Sequence, residues 1–242
     1  MVLDGVSFLQ KGKGKDLVFL HGYLSSKDAF AAQVAYFSKF YRVTAFDFLG
    51  QGKSPPLETP FSVEDYAVWT EQVLTALGVE NPCVVAHSFG CRVLVKMAKR
   101  RAMEMDKLVL TGPAGVVFPR GIGYRCKVGA YRFMRKFAPK FAERRFGSAE
   151  YRGLSPVMKE SYKKIVNEDL RGDAACIENK VLIVEGTRDK VTTMRQAQAY
   201  KDVMKNARLV TMEGGHFAFA EHPLAFNILL EEFLQEDRKS VV

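Results

Sequence analysis

The sequence predicts an α/β protein built on a mostly parallel sheet. Six short runs of apolar, mostly β-branched residues recur along the 242-residue chain, bounded by turn-forming residues. The runs are continuously apolar rather than alternating, as expected of strands covered on both faces. Several are separated by helix-length stretches, as βα repeats require.

In chain order the expected strands are Leu17–Leu20, Val43–Phe46, Cys83–Ala86, Leu108–Thr111, Val181–Val184 and Arg208–Thr211. Between the second and third, Ser62 to Leu77 reads as a helix. Ser62 followed three residues later by Asp65 resembles a capping box, Val68, Val73 and Leu77 supply apolar positions, and Gly78 stops it. A last helix is expected from about Pro223 to Glu236, opened by proline, with Phe226, Leu229, Leu230 and Phe233 on one stripe. The tail after Gln235 reads as frayed.

The βα rhythm breaks between Ala114 and Cys176, a basic, aromatic stretch with helical spacing and no strand run. The expected organisation is therefore a core of residues 1–113 and 177–242, with 114–176 inserted as a helical module over one end of the sheet. The net charge of +9 belongs to that module. Val116 to Gly172 holds 14 of the 36 Lys and Arg but only 5 of the 27 Asp and Glu, which leaves the remainder balanced. No nucleic-acid-binding motif accompanies the charge, so nucleic acid is not an expected partner. The basic face suits solvated helices, a site entrance for anionic or amphipathic substrates, or contact with a membrane surface.

An apolar fraction of 48% excludes disorder, and four cysteines exclude a disulfide scaffold. Cys83, Cys91, Cys126 and Cys176 form no C-x-x-C pair and have no histidine at zinc spacing, so no metal is expected and buried free thiols are. No apolar run approaches the ~20 residues of a membrane-spanning helix. The N-terminus lacks the pattern of a secretory signal, and a cytoplasmic location is the expectation.

The chemistry centres on Val84-Val85-Ala86-His87-Ser88-Phe89-Gly90. A strand runs straight into Ser88 and a helix-forming stretch, Arg92 to Arg100, follows. Such a sharp turn needs small residues two before and two after the serine, here Ala86 and Gly90. A serine hydroxyl needs a base to become nucleophilic. Of the four histidines, His216 follows the last strand through Gly214-Gly215, which lets its imidazole swing over the sheet edge. His21 has Gly22 beside it and suits a structural or substrate-contacting role, His87 lies inside the turn, and His222 opens the last helix. Asp189, just beyond the penultimate strand, is the expected acid, whereas Glu185 lies close to the strand, before the Gly186 turn has reached the sheet edge, and Gly112-Pro113-Ala114 after Thr111 offers no carboxylate. The backbone N–H groups of Phe89 and Tyr23 are the expected donors to a developing oxyanion.

These residues, with the turn Asp47-Phe48-Leu49-Gly50-Gln51-Gly52-Lys53-Ser54, resemble the α/β-hydrolase superfamily in the order serine, aspartate, histidine. The resemblance implies the α/β-hydrolase fold, a cap made by the basic insertion, a site wall shaped by the Asp47 to Ser54 turn, and no cofactor. It implies cleavage of a carboxylic ester or amide in a small acyl substrate, and Ser88 excludes the members that carry aspartate at this turn. Ser88-Phe89-Gly90-Cys91-Arg92 also resembles the Ser-x-Gly-x-Arg stretch of the menaquinone-pathway lyase of this superfamily. That keeps open a non-hydrolytic lyase acting on an anionic substrate, with His21, Gly22 and Arg92 as candidate substrate contacts. A triad-retaining ligand receptor is a further alternative.

Overall fold

The computed structural model describes residues 2–119, 151 and 153–236. The seven strands among them are β1 (Phe8–Lys11), β2 (Asp16–Leu20), β3 (Arg42–Phe46), β4 (Cys83–His87), β5 (Lys107–Thr111), β6 (Lys180–Gly186) and β7 (Ala207–Met212). They form one sheet in the order β1-β3-β2-β4-β5-β6-β7, in which only β1 runs antiparallel to its neighbour. The six expected runs are β2 to β7. The additional strand, β1, is mostly exposed, and pairing with β3 along the sheet edge defines it.

Helices cover both faces. On one face lie α1 (Ala31–Phe37) and, further along the chain, the C-terminal helix Pro223–Gln235. On the other lie α2 (Val63–Ala76) and α3 (Phe89–Arg100). The capping box of α2 is present, with Ser62 Oγ accepting from Asp65 N–H and the Asp65 carboxylate accepting from Ser62 N–H. The C-terminal helix buries Phe226, Leu230 and Phe233 against Val85, Leu182 and Val184. At roughly 1.5–3 kcal/mol for each large apolar side chain removed from water, that stripe holds the helix to the sheet.

Between β5 and β6 the described residues include α4 (Pro156–Val166) and α5 (Arg171–Ala174). They are followed by α6 (Met194–Val203) after β6 and α7 (Ala218–Glu221) before the C-terminal helix, α8. Two links tie this stretch to α3. Arg92 Nη1 donates to the carbonyls of Ile165 and Glu168, and Lys96 pairs with Glu168 and Asp173. The expected insertion also contains residues 120–150 and 152, which lie outside the described residues. Cys83 and Cys91 are buried free thiols as expected, but Cys176 is exposed, because it follows α5 on the surface. Cys126 lies outside the described residues. No helix among the described residues is long and apolar enough to cross a membrane.

Candidate active site

The chain leaves β2 for β3 on one side and returns to β4 on the other, so the crevice beyond the carboxyl ends of β2 and β4 is where an open sheet binds ligands. Ser88 sits there, at the end of the fully buried β4 and the start of α3. Its backbone has φ 51° and ψ −107°, a strained conformation for a residue with a side chain. The strain is held by Ser88 N–H donating to Thr111 O at 3.1 Å and by close packing around the turn. A Cβ at position 90 would strike the carbonyl oxygens of Leu20 and His21, so the residue after Phe89 must be glycine.

His216 follows β7 across Gly214, whose φ of +131° reverses the chain. Its Nε2 lies 3.0 Å from Ser88 Oγ and its Nδ1 lies 2.6 Å from Asp189 Oδ2. Because a carboxylate only accepts, the network assigns the proton to Nδ1 and leaves Nε2 to accept from the serine hydroxyl. Asp189 is pinned as tightly. Its Oδ1 accepts from Val191 N–H at 2.7 Å and Thr192 N–H at 3.0 Å, and Oδ2 accepts from the Thr192 hydroxyl at 2.9 Å. Burial alone would raise the Asp189 pKa, but the bonds from His216, Val191 and Thr192 outweigh it and hold the carboxyl below its ordinary value.

Four supports rest on bonds that were not read from the sequence. His87 is buried and its Nε2–H donates to the His216 carbonyl at 2.8 Å. Burial lowers its pKa to about 3, so it stays a neutral donor. Thr192 fastens the acid, and an aspartate with threonine three residues on is a local signal that could have found it. Gln51 Oε1 accepts from Leu24 N–H at 2.7 Å and so fixes the loop that carries Tyr23. Asp47 does the same further along, accepting from Lys27 N–H and Lys53 N–H.

Tyr23 and Phe89 both line the cavity above Ser88, and neither backbone N–H is taken by an acceptor among the described residues. Gly22 lets this loop close on the turn, since a Cβ there would lie 2.9 Å from His87 Nδ1. His21 corrects an expectation. It is fully buried and does not line the cavity; its Nε2 accepts from Phe48 N–H and its Nδ1–H donates to Gly22 O. Burial depresses its pKa to about 4, so it is a neutral staple between two loops rather than a substrate contact. Arg92 does form part of the cavity wall, with Nη1 committed to two carbonyls and its pKa lowered by burial.

The cavity has a volume of about 760 Å³. Ser88, His216, Tyr23 and Phe89 form its floor, and Phe118, Tyr151, Leu154, Tyr162 and Ile165, from between β5 and β6, wall it on the other side. Tyr23 packs against Phe89 and Tyr162, joining floor to wall.

The family profile described as "alpha/beta hydrolase fold" matches residues 16–152, and one described as "TAP-like protein" matches 159–240. The chain belongs to the α/β-hydrolase fold family. It is 26% identical to an AB hydrolase superfamily protein of Bacillus subtilis over 92% of each chain. To a 2-hydroxymuconate semialdehyde hydrolase of Pseudomonas putida it is 29% identical, over 82% of this chain and 79% of that one. An esterase of Exiguobacterium antarcticum superposes with a TM-score of 0.76 at 23% identity, over 96% of this chain and 97% of its own.

Proposed function

We propose that the protein is a serine hydrolase that cleaves a carboxylic ester through an acyl-enzyme intermediate. The observation that carries this reading is the unbroken chain of hydrogen bonds from Ser88 Oγ through His216 to Asp189, on a strained turn that opens into a cavity. Ser88 Oγ attacks the ester carbonyl while His216 Nε2 takes its proton, and Asp189 stabilises the resulting imidazolium. The backbone N–H groups of Tyr23 and Phe89 receive the oxyanion, with that of Phe89 at the positive end of α3. His216 then returns its proton to the departing alcohol, and water releases the acyl group by the same route.

The aromatic and aliphatic wall supports an apolar acyl or alcohol group, and Arg92 in that wall supports a carboxylate on the substrate. In this reading residues 114–176 form a cap over a core of 1–113 and 177–242, and Gly22 and Arg92 border the substrate. Arg92 also supports the second reading, a lyase of the same fold acting on an anionic substrate. It is 7% exposed and no carboxylate pairs with it among the described residues.

A fluorophosphonate probe tests the reading. Wild type should be labelled at Ser88, and Ser88→Ala should lose both labelling and p-nitrophenyl ester turnover by several orders of magnitude. Labelling that persists in Ser88→Ala would overturn it, and labelling without turnover of any ester would favour the lyase.

A further inference from the structure

One buried ionisable group has no place in the chemistry above. Glu185 lies in β6, whose residues from Val181 to Gly186 are all buried, and is itself 0% exposed. Neither carboxyl oxygen accepts from a donor among the described residues, and the polar group within hydrogen-bonding reach is the Asp189 carboxylate, to which only a protonated Glu185 can donate. Val181 and Ile183 pack in the cluster that includes Cys91, so the two-residue period of the strand turns Glu185 toward the same face, beneath the serine turn. After Gly186 the chain folds back, with Asp189 N–H donating to Gly186 O at 3.1 Å, which brings the Asp189 carboxylate against Glu185.

Two carboxyl groups in one dry place cannot both ionise, and the proton goes to the one with fewer donors. Asp189 has two backbone N–H groups, a hydroxyl and an imidazole N–H. Glu185 has none. The other groups around it offer no relief. Cys91 on α3 is a thiol whose own pKa is raised, first by burial and also by Glu185, while Thr211, paired with Glu185 on β7, does not titrate. No cation acts on Glu185 among the described residues.

We propose that Glu185 is a positioning residue, held as a neutral carboxylic acid behind Asp189, and that its loss of a proton switches the site off. The inference rests on the serine-hydrolase reading. A neutral Glu185 leaves Asp189 as the single charge behind the imidazole. An ionised Glu185 would place a second negative charge there without a donor. The turn from Gly186 to Asp189 would then have to open to admit water, and opening draws Asp189 away from His216 Nδ1. Burial, and then the Asp189 charge, raise the Glu185 pKa to about 8, which puts the switch on the alkaline side of neutrality.

Glu185→Gln, the uncharged isostere, tests this with two readouts. The first is kcat for a p-nitrophenyl ester. Wild type should lose kcat above pH 8 with KM nearly unchanged, while Glu185→Gln should match wild type within about twofold at pH 7 and hold its rate to higher pH. The second is unfolding by urea as a function of pH, which needs no substrate. Between the ordinary glutamate value of 4.5 and about 8 the folded protein keeps a proton that the unfolded chain has lost. The folding equilibrium of wild type relative to Glu185→Gln should therefore fall about tenfold per pH unit across that window and level off above it. An alkaline loss of kcat retained in Glu185→Gln, a tenfold or greater loss of kcat by that variant at pH 7, or parallel stability curves would each overturn the proposal. If no ester is turned over, the urea arm still decides the protonation of Glu185, and the failure then belongs to the hydrolase reading. Should Glu185→Gln not fold, Glu185→Met serves for the same two measurements.

Discussion

Replacing Asp189 by asparagine should disable the site through a single proton. The carboxylate has two tasks on two different oxygens: Oδ1 accepts two backbone N–H groups, and Oδ2 accepts Nδ1–H of His216 at 2.6 Å together with the Thr192 hydroxyl. An asparagine must put its NH₂ at one of these places. Facing the backbone, it sets donors against donors in a buried turn. The less costly orientation therefore keeps the carbonyl on the backbone and turns the NH₂ toward His216. Nδ1 must then accept, so the proton moves to Nε2, which points at Ser88 Oγ and can no longer take its proton. A wrong tautomer of this kind costs about 10⁴ in kcat, equivalent to about 5.5 kcal/mol of transition-state stabilisation. The assay is kcat for a p-nitrophenyl ester at pH 7, with circular dichroism to show that Asp189→Asn is folded. Ser88 remains in place, so fluorophosphonate labelling should slow rather than vanish. A loss of kcat under tenfold in the folded variant, or a greater loss in Glu185→Gln than in Asp189→Asn, would refute the assignment of the acid.

Gln51→Ala removes the acceptor of Leu24 N–H and frees the loop carrying Tyr23; kcat should fall about tenfold with little change in KM, and an unchanged kcat would separate that loop from catalysis. On the acid side, His21 and His87 are held neutral by burial, with pKa values lowered from 6.5 to about 4 and about 3. As pH falls from about 6.5 toward 4 the unfolded chain binds protons that the folded protein refuses, so stability present at pH 7 should drop by several kcal/mol, and a flat urea midpoint over that range would contradict the buried neutral rings. The surplus of +9 between Val116 and Gly172 predicts that kcat/KM for a carboxylate-bearing ester exceeds that for its neutral isostere at low salt. The gap should narrow on adding salt and on charge reversal at Arg132, Arg135 and Lys136; equal values at low salt would leave that charge no part in substrate choice.

The parts of the molecule that were legible in the sequence are those whose physics is local. A strand buried on both faces is mostly apolar, so β2 to β6 announced themselves by composition, and β7, a partly exposed edge strand, by its Leu209-Val210 pair; each boundary fell within about two residues. β1 did not, because an exposed edge strand need not be apolar and is defined by its partner, β3. The serine turn was legible because its steric demands fall on Ala86 and Gly90, within two residues of Ser88. Choosing Asp189 over Glu185 needed only the position of Gly186. What escaped were bonds that join distant segments: His87 to the carbonyl of His216, Gln51 to Leu24, and the two bonds from Arg92 to Ile165 in the last turn of α4 and to Glu168 just beyond it. His21 shows the same limit in reverse, since its place at the end of β2 suited a substrate contact and only the position of Phe48 N–H reveals a staple.

The electrostatic arrangement of the site follows from where donors were supplied and where they were withheld. Behind the cavity whose wall includes Arg92, four ionisable side chains besides His216 show this: His21, His87, Glu185 and Asp189. Three are pushed toward neutrality by burial, the histidines downward and the glutamate upward. Asp189 alone received enough donors to overcome the same burial and stay charged. In a low-dielectric interior each extra charge would act on the imidazole at several kcal/mol, and a charged His87, whose ring centre lies 4.6 Å from that of His216, would oppose formation of the imidazolium. A neutral His87 instead uses its N–H to hold the backbone of His216, which contributes position without field. The same division applies to the loops: His21 staples them as an uncharged ring, and the charge of Asp47 is spent on Lys27 and Lys53 N–H rather than on the cavity. Burial thus removes competing charges, and the turn from Gly186 to Thr192 concentrates its donors on the one carboxylate that faces His216 Nδ1.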